Sequence, residues 1–275
     1  MTRLTADHIR HIPHTLAEYD TELVAKTGHT LKEIACRAAA VNRPKAGRIT
    51  GTVVGVVPIS WGQGRIPGFC DVLAGIAVHL GFQAFVAETA DVAGLGECIV
   101  RGADILLLAD DHCYAALNPA RRNNIDNSAA TGRGFAWALA LMAGGLKDRC
   151  VLVIGCGPVG ENAAAVLDEM GARICLVDRR MERAASLSAR LGQGPHRVLA
   201  ASGLDAAFKD CRLVLDASPA ADVILRRHVT AETMVASPGV PHGLTPAALH
   251  AVGDRFIHDP LQLGTAVMLM QAALG

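Results

Sequence analysis

Two stretches of this 275-residue chain place residues at spacings that suit chemistry. In the first, an apolar run over 151–154 leads directly into Gly155-Cys156-Gly157-Pro158-Val159-Gly160, a G-x-G-x-x-G pattern. Gly155 permits a tight turn, Gly157 lets the backbone approach a pyrophosphate, and Gly160 allows close packing of helix on strand. A helix opening at Pro158 and Val159 offers N–H groups and a partial positive charge to phosphates. Cys156 reads as a small filler of the loop. A further apolar run ends in Asp178, 18 residues beyond Gly160, where a carboxylate bonds the adenosine ribose hydroxyls. That carboxylate repels a 2′-phosphate, so NAD is expected over NADP. Arg179 and Arg180 supply the opposing, phosphate-pairing feature. Ser218-Pro219 and Ser237-Pro238-Gly239 each follow an apolar run. Ligands of doubly wound sheets sit outside such strand ends, so both loops are candidates to flank a nicotinamide.

The second stretch is split. A strand-like run ends in a Gly-rich loop holding Ser60, Gly62, Gln63, Gly64 and Arg65. Backbone N–H groups in such a loop can hold a carboxylate, and Ser60, Gln63 and Arg65 add side-chain donors. Another run over 104–109 ends in Asp110-Asp111. Strand alternation sends two successive side chains to opposite faces, so at most one of the pair faces a cleft, and helix capping or solvent exposure is the plainer expectation for either. A polar cluster over 123–128 precedes a long helical pattern, with Asn127 or Ser128 as its N-cap. The eleven histidines show no H-E-x-x-H spacing, and no metal site is expected. G-x-S-x-G and Walker A patterns are absent from the sequence.

The elements that must position these residues alternate. Helical periodicity covers 14–42, broken at Gly28, and a polar, basic connector covers 44–51. Strands are predicted at 52–57, 83–87 and 104–109, with helices at 69–80 and 94–101. A long helix at about 133–147 is followed by strands at 150–154, 173–177, 197–200, 212–216, 233–236 and 255–258. Helices at 159–170, 181–191 and 263–274 intervene or follow. Alternation on both sides of the long helix implies an α/β protein with parallel sheets. An N-terminal α/β domain over 1–132 precedes a C-terminal Rossmann domain over 133–275, with a ligand cleft between them.

Hydrophobic residues are 51% of the chain and aromatics 4%, so the core is built mainly from Ala, Val, Leu and Ile. Lys+Arg and Asp+Glu number 26 each, which argues against broad electrostatic binding to nucleic acid or anionic membrane. Eight cysteines show no C-x-x-C spacing and are expected as reduced, small hydrophobes. The N-terminus lacks an apolar signal region, and the longest apolar run, 135–146, is shorter than the ~18 residues of a membrane span. A cytoplasmic enzyme with a small-molecule substrate is expected. An Ala-rich helix leaves homo-oligomerisation open.

Beyond the fingerprint, the chain resembles the NAD-dependent dehydrogenases that complete pyrrolysine biosynthesis. The resemblance is carried by Leu4-Thr5, Val57-Pro58, Gly62, Gly64, Ile66 and Phe69 in the loop, and Asp91-Val92 with Gly94. It continues through Gly102-Ala103-Asp104-Ile105, Ala109-Asp110-Asp111, Asn127 and Thr131-Gly132. Ser237 to Pro241, and Pro260-Leu261 with Gly264-Thr265-Ala266 and Met268-Leu269, complete it. Trp61, Arg65, Pro67 and the run 118–125 depart from it. The resemblance implies oxidation, by NAD, of the terminal amine of lysine acylated on its ε-amine by 3-methylornithine. Imine hydrolysis and cyclisation would then give pyrrolysine. It further implies Asp110 in the chemistry, Asp111 and Asn127 as helpers, Leu4 and Phe69 at the substrate, and Leu261 and Gly264 at the cofactor. Two other readings are another two-domain NAD(P) dehydrogenase of amino-acid or folate type, and a non-catalytic NAD-binding sensor.

Overall fold

The computed structural model describes residues 4–40, 49–192, 194 and 196–275, with the backbone alone for Gln63. The expected connector over 44–51 lies largely outside the described residues. The chain opens with α1 (Ala6–Ile9), α2 (Ile12–Thr27) and α3 (Leu31–Ala38). Gly28 ends α2 in the left-handed region, and Thr30 caps α3 by accepting from the Glu33 amide.

Five strands form the first sheet: β1 (Val53–Val56), β2 (Gln83–Val86), β3 (Ile105–Ala109), β4 (Tyr114–Asn118) and β5 (Asn123–Asp126). Their order is β2-β1-β3-β4-β5. The helices α4 (Phe69–Leu80) and α5 (Asp91–Val100) make the parallel crossovers. β4 and β5 pair antiparallel, so this sheet is mixed, which corrects the all-parallel expectation. The sequence hides this hairpin because β4 is rich in Ala and β5 is mostly Asn and Asp, residues of weak strand preference.

The connecting helix α6 (Asn127–Met142) begins six residues before its expected start. Its N-cap is Asp126, whose Oδ1 accepts from the Ala129 amide at 3.1 Å, rather than Asn127 or Ser128. The second sheet holds β6 (Cys150–Ile154), β7 (Arg173–Asp178), β8 (Arg197–Ala200), β9 (Leu213–Asp216), β10 (Met234–Ser237) and β11 (Phe256–His258). The helices α7 (Pro158–Glu169), α8 (Met181–Arg190), α9 (Leu204–Asp210) and α10 (Pro246–Val252) accompany them, and α11 (Gln262–Leu274) closes the chain. The order β11-β10-β9-β6-β7-β8 is parallel throughout and is that of a Rossmann sheet, reversing between β6 and β9.

Cys150 and Cys211 are joined as a disulfide, with Cα atoms 4.9 Å apart, which corrects the expectation of eight reduced thiols. They are 61 residues apart in sequence and become neighbours only because β6 and β9 are adjacent. Among the described residues no helix is long and apolar enough to cross a membrane.

The two sheets are tied through three helices. α6 packs on α7, while α11 packs on α6 and also crosses back to α3, α4 and β4. The contacts are made at glycines. A Cβ on Gly132 would lie 2.4 Å from the Val159 carbonyl oxygen and 2.8 Å from the Ala163 nitrogen. One on Gly264 would lie 2.3 Å from Thr131 Oγ1. A mid-helix glycine costs about 1 kcal/mol relative to Ala, so these positions give up helix propensity for close approach. Gly132→Ala is expected to lose about 1–3 kcal/mol by overpacking against backbone. Gly96→Ala, at an exposed site of α5 with nothing within 4 Å of the new carbon, is expected to gain about 0.5–1 kcal/mol. Urea unfolding of the two variants checks the contrast; a stable Gly132→Ala protein would remove the close-packing argument.

Candidate active site

One edge of the first sheet gathers the first group of functional side chains. β1 and β3 end there, β4 begins there and β5 ends there, since Ala109 pairs with Tyr114 and Ala115 with Asp126. Asp110 leaves β3 and folds back at once. Its Oδ1 accepts from the amides of His112 and Cys113, both at 2.7 Å, and its own amide donates to the Cys113 carbonyl at 2.8 Å. The Cys113 and His112 amides hold the Asp110 carboxyl below the usual carboxylate range. Oδ2 of Asp110 has no partner among the described residues. The arrangement is a half-exposed, fixed anion with one oxygen to offer, suited to a cationic or N–H-bearing group. Asp111 is exposed beside it.

The loop 58–68 is pressed onto this turn. A Cβ on Gly62 would lie 2.5 Å from the Asp111 nitrogen, and Gly62 itself has φ +62°. One on Gly64 would meet the carbonyl oxygens of Ile59 at 2.4 Å and Ala109 at 3.0 Å. Ser60 donates its hydroxyl to Asp91 Oδ2 at 2.5 Å and its amide to Oδ1 at 2.9 Å, tying the loop to α5. Phe69 is buried, 1% exposed, edge-on to Tyr114 with centroids 6.0 Å apart. Leu4 is half-buried against the core. The Gln63 backbone lies in the 3-10 turn Gly62–Arg65, and its side chain is outside the described atoms.

The cofactor half is built at the reversal of the second sheet. Gly155 has φ +89°, and a Cβ there would lie 2.9 Å from the Ala217 carbonyl. One on Gly160 would lie 1.8 Å from the Gly155 oxygen, so α7 starts tight against the turn. Around Gly157, by contrast, nothing lies within 4 Å of a would-be Cβ. That open space above the first turn of α7, with Pro158 at its start, fits a pyrophosphate. Asp178, ending β7, accepts from the Cys156 amide at 2.7 Å and from the Arg180 amide at 2.7 Å. Its carboxylate is thereby aimed at the rim of the fingerprint loop. An open cleft of about 350 Å³ beside it is lined by Cys156, Gly157, Glu182, Arg183, Ser186 and Arg190. Burial pushes the Cys156 thiol up to about 12, so it is no nucleophile at neutral pH. Arg179, next after Asp178, is exposed.

The loops after β9 and β10 are held by a residue the sequence reading passed over. Asp216 is fully buried and accepts from Ser218 Oγ at 2.7 Å, Ser237 Oγ at 3.2 Å and the Gly243 amide at 2.8 Å. Burial raises its carboxyl pKa, and these donors oppose that shift. Ser218 and Ser237 spend their hydroxyl protons on Asp216, which leaves the backbone of the two loops to face a ligand. Gly239 is packed on the Ser218 carbonyl, where a Cβ would come within 2.4 Å. Pro219 is exposed at the mouth of the site and Pro238 is half-buried. Leu261 is buried, and Gly264 faces α6. Phe69, Ser237, Gly239, Leu261 and Gly264 thus shape the site from behind its surface, while Ser60 is exposed. The signal for Asp216 was an acid closing an apolar run, the same signal that marked Asp178.

The first turns of α6 and α11 bring the halves together. Asn127 Nδ2 reaches Met268 Sδ at 3.2 Å, and Tyr114 Oη and Thr265 Oγ1 are 2.8 Å apart. Asp259, buried after β11, accepts from Tyr19 Oη of α2 at 2.6 Å and from the Leu263 amide at 3.1 Å. Among the described residues no group of three or more His, Cys, Asp or Glu is placed to hold a metal.

Known proteins share this architecture and much of this sequence. The family model described as pyrrolysine biosynthesis protein PylD, N-terminal domain, matches residues 8–125, and that of shikimate / quinate 5-dehydrogenase matches 138–241. The pyrrolysine synthase of Methanosarcina barkeri is 30% identical over 273 residues, covering 98% of this chain and 97% of its own. That of Methanosarcina acetivorans is 29% identical over 276 residues, covering 98% of each. Quinate dehydrogenase from Corynebacterium glutamicum, solved in complex with NAD, superposes with a TM-score of 0.56 at 14% identity, over 82% of this chain and 94% of its own. This last likeness is one of fold.

Burial pushes the Asp259 carboxyl up to about 6, against the Tyr19, Leu263, Gln262 and Leu261 donors that favour the anion. A carboxyl raised on folding contributes its stability in full below about pH 3.9 and loses it as pH rises through about 6. The loss is about 3 kcal/mol for a shift of roughly two units. Asp259→Asn should therefore gain about that much relative to the parent protein between pH 4 and 7. Denaturation midpoints across that range measure it, and parallel pH curves for the two proteins would contradict it.

Proposed function

We infer the reaction from a statement of kinship: the chain belongs to the pyrrolysine synthase family and is an oxidoreductase of pyrrolysine biosynthesis. We propose that it oxidises the terminal amine of 3-methylornithyl-N6-lysine with NAD. The primary amine becomes an imine, water converts that to an aldehyde with release of ammonia, and the aldehyde condenses with the ornithine α-amine to close the pyrroline ring.

The observation that supports this most is the seating of α7, which opens at the glycine fingerprint, on α6, which opens at the Asp110 edge. The residues fit a dinucleotide. Gly155, Gly157, Gly160 and the start of α7 would hold its pyrophosphate, Asp178 its adenosine ribose, and the loops after β9 and β10 its nicotinamide end. When bound, NAD supplies the hydride acceptor. The Asp178 carboxylate at the adenosine end favours NAD over NADP, since a 2′-phosphate there would face a like charge.

Asp110 is assigned the reacting amine. Hydride departs from the carbon only when the nitrogen has a lone pair, so the amine must be neutral. An alkylamine near 10.4 and a carboxyl near 3.9 differ by roughly 6.5 units, about 9 kcal/mol against proton transfer to the carboxylate. The two amide bonds to Asp110 widen that gap. Asp110 therefore acts as an anchor rather than a base. Its unpartnered Oδ2 accepts an N–H bond from the neutral amine. The same contact strengthens as positive charge develops on nitrogen, which is differential stabilisation of the transition state. Asp111, next in sequence, and Asn127, at the start of α6 on the same edge, are the candidates for steering the hydrolytic water.

Purified protein with NAD and synthetic 3-methylornithyl-lysine should produce absorbance at 340 nm and a product lighter by ammonia and two hydrogens, the hydride and the proton given up on oxidation. Binding of NAD without turnover would send the substrate assignment back to other amines. Asp110→Asn should cut kcat by about 100-fold or more with little change in KM, as for an interaction made chiefly in the transition state. Turnover of the parent protein should rise from pH 7 toward 10 as the amine loses its proton. Equal kcat in both proteins, or a flat pH profile, would remove Asp110 or the neutral-amine requirement respectively.

A further inference from the structure

The loop after β10 is fixed at both ends by groups that none of the roles above uses. At its start, the carbonyl of Ser237 accepts from His258 Nδ1 at 2.7 Å. Near its end stands His242. The rings of His242, Phe256 and His258 form one cluster: Phe256 and His258 stack at 5.7 Å with 7° between planes. His242 stands edge-on to both, with centroids 5.3 and 5.2 Å away. Phe256 and His258 share a face of β11 because they are two residues apart on a strand.

The carbonyl can only accept, so His258 Nδ1 carries a hydrogen. In the neutral ring that leaves Nε2 with a lone pair and fixes the tautomer. His258 also lines an open cleft of about 470 Å³ between α1–α2 and the ends of β10 and β11. The groups facing it are known from every side. Asp216 from β9 draws His258 toward the charged form, and His8 of α1 opposes this. Asp7, His11, Glu18 and Glu22 line the same cleft. His242 feels His258 as a like charge and Asp216 and Asp222 as opposite ones. Burial is the largest influence on both rings and keeps both below the ordinary histidine range.

We propose that His258 is a positioning residue for the nicotinamide end of the cofactor, pinning the Ser237–Pro241 backbone while adding no positive charge there. The inference rests on the nicotinamide reading given above. Its physical content has two parts. The Nδ1–H bond fixes the loop, and asparagine can reproduce it, because its side-chain amide nitrogen sits at the same branch as Nδ1. The neutrality matters for the oxidised cofactor, whose ring is cationic, more than for the reduced one, whose ring is not. Acid that protonates His258 must therefore weaken NAD binding more than NADH binding.

The test is titration of NADH by its fluorescence, and of NAD by calorimetry, from pH 5.5 to 8, in the parent protein, His258→Ala and His258→Asn. At pH 8, His258→Ala should raise the Kd for NADH about 5–10-fold, while His258→Asn stays within about threefold. In the parent protein the ratio of the NAD and NADH dissociation constants should stay level through the ordinary histidine range and climb at the acid end, below it, as His258 takes its proton; in His258→Asn it should stay flat. Near-UV circular dichroism and thermal melting check that each variant is folded. Unchanged affinity in His258→Ala would overturn the proposal, as would equal losses in both variants, which mark packing alone. A ratio that climbs equally in His258→Asn would also overturn it. A parent protein that binds neither nucleotide would instead sink the nicotinamide reading itself.

Discussion

The rest of the molecule depends on the distance between three helices. α6 starts at the edge that carries Asp110 and Asp126, and about one and a half turns later its backbone at Gly132 touches the first turn of α7. That turn is the one the glycine fingerprint feeds. α11 closes the triangle at Gly264, against Thr131 and Asn127, and sends Thr265 to Tyr114 on the first sheet. Any side chain at Gly132 or Gly264 would push the fingerprint turn away from the Asp110 edge, the two half-sites of the proposed reaction. Hydride transfer tolerates little such displacement, since a misplacement of about 1 Å can cost 100-fold in rate. Loss of helix propensity at these glycines is the structural consequence of needing two half-sites on two sheets.

Buried carboxylates complete the frame, and each is used differently. Asp216 sits where burial disfavours its charge, yet it collects donors from two loops and so fixes Ser218, Ser237 and Gly243 around one point. Asp259 does the same for α2 and α11. Both cost desolvation that their hydrogen bonds offset only in part, so each carboxyl stands above its usual range. Asp110 is their opposite: half-exposed, held ionised by two amides, and left with an oxygen unpaired. The contrast separates acids that organise the backbone from one that waits for a ligand.

The second sheet was legible because its signals are local. Apolar strands buried on both faces, the Gly155–Gly160 spacing and the acid after β7 can all be read within a few tens of residues. The β4–β5 hairpin was not, since Ala-rich and Asn-rich strands lack the expected alternation and its turn carries no Asn-Gly or Asp-Gly pair. Contacts between distant segments stayed hidden for a different reason. Nothing in the neighbourhood of Tyr19 announces Asp259, 240 residues away, and nothing around Cys150 announces Cys211. The loop serines show a third limit. Their position at strand ends was read correctly, but their direction, toward Asp216, was set by an acid in the strand before them. The Asp110 turn lay between: the residue was visible, while its commitment to the His112 and Cys113 amides needed the fold.

On the proposed reading, the protein holds an amine at one sheet edge and a nicotinamide at another, with a fixed anion at the nitrogen and no added cation beside the acceptor ring. The central claim is that hydrogen passes as hydride from the amine-bearing carbon to the nucleotide. It is tested most directly with 3-methylornithyl-lysine carrying deuterium on that carbon and with unlabelled NAD. The account predicts that the reduced nucleotide recovered after turnover is heavier by one deuterium. Reduced nucleotide without the label, formed from fully labelled substrate, would contradict it.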